Sequence, residues 1–232
     1  MRNGFSLWRL LRRIIVLIIL VVLVLPAGLT LLYREVAPPA TPLMVIRLFE
    51  GEGIKSEWVP LRQISPHLIR SVVALEDSRF CNHDGVDWVE MSDAVSDHLK
   101  GGRLRGASTI SMQTAKNLFL WPGRAFLRKA IEAPLTFMIE AILGKRRILE
   151  IYLNVVEWGP GIYGIEAASR AYFRKPAVSL TPWQAGLLAG ILPNPRRWSP
   201  RKPTDYIRDR ARTAMARSKA VAPALRCLRK NG

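Results

Sequence analysis

The feature that most constrains this chain is the run from Ile14 to Tyr33, which has 20 residues, no charge, and is dense in Ile, Leu and Val. A helix rises about 1.5 Å per residue, so a run of that length spans the ~30 Å hydrocarbon core of a bilayer. Arg2, Arg9, Arg12 and Arg13 precede it, and only Arg34 follows closely. Basic residues accumulate on the cytoplasmic side, so the amino terminus is expected inside and residues 34–232 outside. Trp8 and Tyr33 flank the span, where amphipathic rings settle. A cleaved signal peptide has an apolar core of about 7–15 residues and a small-residue cleavage site. This core is longer, and Pro26-Ala27-Gly28 is a poor site. A buried core helix is disfavoured because the run is apolar on every side. The expectation is a single-pass anchor.

Composition points to a folded domain beyond the anchor. The chain is 49% hydrophobic and 23% charged, which excludes a disordered polymer. Its net charge of +17 is unevenly placed. Residues 34–195 are nearly balanced, whereas residues 196–232 hold 12 basic and two acidic side chains. An extracytoplasmic location argues against nucleic acid as partner. The basic end then faces anionic headgroups or an anionic substrate, or is a solvated helix face. Two cysteines exclude a disulfide framework and a multi-cysteine zinc module. Cys81 and Cys227 are expected as unpaired thiols, although the compartment permits a bond. His67, His83 and His98 are far apart in sequence, so no metal site is expected.

The pattern divides the chain into a cytoplasmic basic segment (1–13), the anchor (14–33), a connector (34–64), a catalytic domain (65–202) and a basic carboxy-terminal helix (203–232). In the connector, the stretch from Ala37 to Pro42 is stiff and extended, and Met44–Phe49 suits a short strand. Helices come one after another beyond it. Ser65-Pro66 starts one that ends near Glu76. Asp87 caps another, with Trp88, Met91, Val95 and Leu99 as its inward stripe and Gly101-Gly102 as its stop. Ser108 caps a third, from Thr109 to about Leu120. A fourth spans Arg124 to Leu143 with a bend at Pro134, and a fifth spans Lys145–Asn154. Ile165–Phe173, a helix from Thr181-Pro182 to Pro193, and Pro203–Val221 complete the set. Strands and helices do not alternate, so the class is mainly α.

Three segments carry chemistry. Glu76-Asp77 ends an apolar helix, and a turn with His83 and Gly85 comes next; paired acids and partial burial raise a carboxyl pKa toward that of a base. Thr109, Gln113 and Lys116 share one helix face, beside free backbone N–H groups and the Ser108 hydroxyl that suit an anion. Arg124, Arg128 and Glu132 fall one turn apart, with Lys129 adjacent. That spacing suits either surface ion pairs or a clamp for phosphate. Further on, Ile148, Leu149, Tyr152 and Leu153 read as core, Arg146 and Glu150 as an ion pair, and Asn154 as a helix end. Gly159, Gly161 and Gly164 lack the preceding strand of a nucleotide loop.

Together these segments resemble glycosyltransferase family 51, the peptidoglycan glycosyltransferases, in its monofunctional biosynthetic branch. The matching blocks are Glu76-Asp77-x-x-Phe80-x-x-His83-x-Gly85; Gly106-x-Ser108-Thr109 with Gln113, Lys116 and Asn117; Arg128-Lys129-x-x-Glu132; Lys145 to Asn154; and Gly161 to Phe173. They occur in the family's order over about 100 residues. Met112 departs from the pattern, where the family usually has a glutamine, which removes one secondary contact to sugar or phosphate.

The resemblance implies a lysozyme-like helical domain with a small membrane-facing jaw lobe that includes Phe119, Leu120, Trp121, Pro122 and Phe126. It implies polymerisation of lipid II into β-1,4-linked glycan with inversion and release of undecaprenyl pyrophosphate. Glu76 would be the general base, and Glu132 a second catalytic acid that orients cations. Ser108, Thr109, Gln113, Lys116, Arg124, Arg128 and Lys129 would bind substrate. No cofactor would be required, although a divalent cation can accompany the pyrophosphate, with Glu132 helping to hold it. The partners would be lipid II, the growing glycan chain, the bacterial inner membrane and cell-wall synthesis or division proteins. The catalytic domain would be periplasmic, with peptide cross-linking done by another protein. The rival readings are a lysozyme-like glycan-cleaving enzyme and an inactive membrane scaffold.

Overall fold

The structure is a computed structural model and describes residues 3–102, 106–123 and 126–229. The amino-terminal helix α1 (Asn3–Ile19) passes through one π turn, Leu20–Val24, into α2 (Leu25–Tyr33). Pro26 lacks an N–H and its ring crowds the carbonyl one turn earlier, so the wider turn falls where the normal ladder is interrupted. Trp8–Tyr33 is long and apolar enough to cross a membrane. Its far end is tied down: Arg147 donates to the carbonyls of Tyr33 and Val36, each at 2.8 Å. The anchor thus closes onto the same helix that supplies much of the core.

Met44–Phe49 is not a strand. Helix α3 (Pro42–Phe49) forms because the Thr41 hydroxyl accepts from Met44 N and Pro42 occupies the first turn. Helix α4 (Pro66–Glu76) is capped by Ser65, and α5 (Trp88–Leu99) by Asp87. Helix α6 (Ile110–Phe119) is capped by Thr109 rather than Ser108, because it is the Thr109 hydroxyl that accepts from Met112 N. Helix α7 (Phe126–Val155) keeps Pro134 within its helical run and breaks at Gly144 (φ 70°), between the two helices expected there. Across that break Lys145 donates to Glu140 at 2.6 Å. Helices α8 (Ile165–Phe173), α9 (Pro182–Ile191) and α10 (Asp205–Val221) complete the order.

A small sheet, not expected from the sequence, joins the connector to the region after α7. Its strands are β1 (Lys55–Ser56), β2 (Glu157–Gly159) and β3 (Ile162–Tyr163), in the order β1-β3-β2. Gly161 (φ +67°) makes the turn between the last two, and a Cβ there would lie 2.4 Å from the Gly53 carbonyl. The glycine run is therefore a tight hairpin.

Helices α4, α9 and α10 pack mutually, and α6 packs on α7. Leu68, Val72, Ile148, Leu149, Tyr152 and Leu188 are fully buried where these groups meet. Ile207, Ala211 and Ala214 bury the inner face of α10. Helix α5 departs from expectation: Trp88 is 65%, Val95 50% and Leu99 81% exposed, and Ala94 is its buried residue. Spacing gives a helix its stripe but not the side on which a neighbour lies. Glu150 pairs with Arg147 rather than Arg146, whose guanidinium instead donates to the Leu228 carbonyl at 2.8 Å.

The two cysteines are not free thiols. Cys81, in the turn Phe80–Asn82, is bonded to Cys227, in the terminal turn Ala222–Leu228, with Cα atoms 5.6 Å apart. The bond joins positions separated by 146 residues, a loop long enough to restrict the unfolded chain strongly. Changing both cysteines to Ser is expected to cost about 2–5 kcal/mol. Thermal melting with and without a dithiol reductant tests this: the wild type should lose several degrees on reduction and the double variant none.

Candidate active site

Glu76 is the last residue of α4, and the turn behind it is a hydrogen-bonded knot. Asp77 accepts from Ile110 N at 2.9 Å and from His83 Nε2 at 3.0 Å. His83 Nδ1 accepts from Gly85 N at 3.2 Å, so its proton sits on Nε2. Thr109 donates to the Gly85 carbonyl. Gly85 itself (φ +101°) lies so close to Thr136 that a Cβ would come within 2.8 Å of its methyl. Asp77, His83 and Asp87 gather ligand atoms within 4.8 Å of one another. Both ring nitrogens of His83 are engaged, however, and Asp87 caps α5 while pairing with Arg79 at 3.1 Å. The cluster builds the turn that fixes Glu76.

The Glu76 carboxylate accepts from Gln113 Nε2 at 3.2 Å and faces Arg210 Nη2 at 3.5 Å. Gln113 is itself oriented, because Tyr152 donates to its Oε1 at 3.1 Å and leaves the NH₂ toward Glu76. Arg210 is held by a bond from Nε to the Gly190 carbonyl, 3.1 Å. Burial raises the Glu76 pKa, and Asp77 adds to the rise. The Gln113 hydrogen bond, Arg210 and Lys116 oppose it. Glu76 lines a cleft of about 200 Å³ shared with Ser78, Glu90, Arg217 and the segment Gly106–Thr109.

A second cluster lies on α7. Glu132 is 2% exposed and is paired with Arg128 and Lys129, each at 2.5 Å. Lys129 also donates to the Ser108 hydroxyl at 3.1 Å, and Arg128 to the Gly123 carbonyl at 3.0 Å. A second cavity, about 400 Å³, is lined by Lys116, Asn117 and Arg128 together with Leu43, Leu120, Trp121 and Pro122. Cations therefore meet an apolar wall there. Burial lowers the Lys116 pKa. Glu132 opposes this, Arg128 and Lys129 reinforce it, and Glu76 opposes it. Among the described residues Lys116 makes no ion pair.

Of the residues expected at a site, Glu76, Ser108, Thr109, Gln113, Lys116, Arg128, Lys129 and Glu132 thus line or connect two neighbouring cavities. Thr109 acts as a helix cap as well. Arg124 and the Phe126 side chain lie outside the described residues. Leu120 is buried and Trp121 is 43% exposed, so the apolar run between α6 and α7 is half core and half surface. Met112 is buried at 3% exposure and is part of the packing. Tyr152, Arg210 and Arg217 were not anticipated. Arg210 and Arg217 recur at the seven-residue spacing of Ile207, Ala214 and Val221, next to the buried face of α10, a signal visible in the sequence; Arg210 is half-buried and Arg217 exposed.

The profile of the transglycosylase family matches residues 44–219, which takes in every residue lining the two cavities except Leu43. The chain belongs to the transglycosylase family. It is similar to the biosynthetic peptidoglycan transglycosylase of Rhodospirillum centenum, 57% identical over 92% of each chain. The corresponding protein of Caulobacter vibrioides is 45% identical over 97% of this chain and 95% of its own. That of Bdellovibrio bacteriovorus is 47% identical over 95% and 89%. Family membership thus accounts for the ordered blocks, and the clefts for where they converge.

Proposed function

We propose that this peptidoglycan glycosyltransferase polymerises lipid II, with Glu76 as general base and the cations of the second cavity neutralising the departing diphosphate. The observation that carries the reading is the pairing of the two cavities. One holds a carboxylate whose pKa is raised by burial, and the other joins Lys116 and Arg128 to an apolar wall suited to a polyprenyl chain. In the reaction, Glu76 takes the proton from the acceptor GlcNAc 4-hydroxyl as that oxygen attacks the donor anomeric carbon. The α-linked diphosphate leaves from the opposite face, which gives a β-1,4 bond with inversion. Diphosphate is a good leaving group, so it needs charge neutralisation more than a proton.

Glu132 holds Arg128 and Lys129 in register, and Lys129 in turn holds Ser108. Both Glu132 oxygens are engaged by these cations, so the donor set does not fit a bound divalent cation, and no step is routed through one. The cleaving alternative has no use for cations around a diphosphate, and a scaffold has no use for a buried, oriented carboxylate.

The enzyme works at the outer face of the inner membrane, with its amino terminus cytoplasmic. The four arginines before the span support that orientation, and the Cys81–Cys227 bond suits an oxidising periplasm. Trp88, Val89, Val95 and Leu99 of α5 form an exposed apolar face that would rest on the bilayer. Incubating the purified chain separately with lipid II and with finished glycan tests the proposal. Polymer from lipid II is expected, whereas shortened strands from finished glycan, with no polymer, would reverse it.

A further inference from the structure

The cleft beside Glu76 contains more charge than proton transfer from the acceptor uses. Asp77 and Asp87 are engaged within the turn, Asp77 by hydrogen bonds from His83 and a backbone N–H, Asp87 by Arg79 and the α5 cap. Glu76 is faced by Arg210. That leaves Glu90, from α5, and Arg217, from α10, on the walls of the cleft. Among the described residues neither side chain makes a hydrogen bond or ion pair. Arg217 is two helical turns beyond the half-buried Arg210 and is itself exposed, beside the buried face of Ile207, Ala211, Ala214 and Val221. The chain beyond it is fastened by the Cys81–Cys227 bond to the turn after Glu76. An exposed guanidinium on the wall of the cleft that holds the base, without a partner among the described residues, is arranged for an anion that arrives with the substrate.

We propose that Arg217 binds an anionic group of the acceptor and so sets acceptor affinity, resting on the lipid II reading of the same cleft. Carboxylates of the stem peptide and the acceptor's diphosphate share the required chemistry. Glu90, of opposite sign on another wall, disfavours the same anion. The two residues therefore push acceptor binding in opposite directions, and a merely structural role for either would not produce that pattern.

The test uses the full chain in detergent with lipid II. Arg217→Gln should raise KM roughly three- to ten-fold, the range for a partly solvated charge-assisted contact, with kcat little changed. Arg217→Lys should recover most of the loss, and Glu90→Gln should lower KM about two-fold. Added salt should raise the wild-type KM more than that of Arg217→Gln. An acceptor with amidated stem-peptide carboxylates separates the two sources. If its KM ignores Arg217→Gln, the peptide supplies the anion; if its KM still rises, the diphosphate does. Equilibrium binding of a 4-deoxy lipid II analogue needs no turnover. Weaker binding to Arg217→Gln would support the assignment even where wild-type polymerisation failed. Unchanged KM and unchanged analogue binding in Arg217→Gln would overturn it, as would a fall in kcat alone.

Discussion

Glu76→Gln is expected to reduce glycan polymerisation by roughly 10²–10⁴-fold, the range general-base catalysis supplies, without loosening the fold. Gln has nearly the same shape and can still meet Gln113 and Arg210, so the knot of Asp77, His83 and Gly85 behind it is undisturbed. The effect on stability should even have the opposite sign. Burial raises the folded-state pKa of Glu76, so the ionised form is less welcome in the folded protein than in the unfolded chain. A carboxyl of that kind contributes stability while protonated, at pH below its raised value. It withdraws that contribution as pH climbs through it. At neutral pH the neutral amide therefore leaves the melting temperature unchanged or higher. Activity runs the other way, because the base must be ionised to accept a proton. The acid limb of the rate profile should fall above the ordinary carboxylate range. A melting curve and a rate measured on the same preparation test both halves; a large loss of Tm, or turnover near that of the wild type, would refute the assignment.

Which parts are visible in the sequence depends on how local their causes are. Helix starts are legible because a cap hydroxyl and a first-turn proline act within four residues: Ser65-Pro66 and Thr181-Pro182 both open helices as expected. Thr41-Pro42 carries the same signal. The β-branched and aromatic residues after it favour a strand on propensity, yet α3 obeys the cap. The strands are invisible for the converse reason, since two or three residues cannot display an alternation. Helix α5 has a clear stripe, but only its small Ala94 is buried, and which face meets the domain is a tertiary fact. The disulfide belongs to the same class, because nothing near Cys81 indicates that the chain returns to it 146 residues later.

The site divides along the same line. Glu76, Gln113, Lys116, Arg128 and Glu132 are legible because each stands in a block whose internal spacing has chemical meaning. The support for Glu76 comes from afar: Tyr152, which reads as core alone, turns the Gln113 amide, and Arg210 reaches in from a helix whose charge suggests headgroups or substrate. Residues that act through a neighbour leave no local spacing. They are legible only as a charge bordering an apolar face, as Arg210 is.

Lys116→Met should lower polymerisation by about 10²–10³-fold, the loss expected on removal of one preorganised group stabilising a developing charge. The reason lies in which cations are already engaged. Arg128 and Lys129 are bound to Glu132, so much of their charge is balanced before substrate arrives. Lys116 lines the same cavity with no ion pair among the described residues, and its ammonium is held in a site that disfavours it: burial lowers its pKa and the two neighbouring cations add to the fall. A diphosphate entering that cavity relieves the strain on this charge, and the relief grows as the glycosidic bond breaks and negative charge collects on the leaving oxygen. The interaction is therefore stronger in the transition state, and the loss in Lys116→Met should appear in kcat as well as in kcat/KM. Stability moves in the opposite sense. An ammonium whose folded pKa is depressed destabilises the fold while protonated, so the methionine variant should melt at the same temperature or higher. The basic limb of the wild-type rate profile should fall below the ordinary lysine range and should shift upward or vanish in Lys116→Arg, where the charge no longer titrates. Rates within three-fold of wild type for Lys116→Met would mean that the diphosphate is neutralised elsewhere, and that the apolar wall and the cation beside it do not form one leaving-group site.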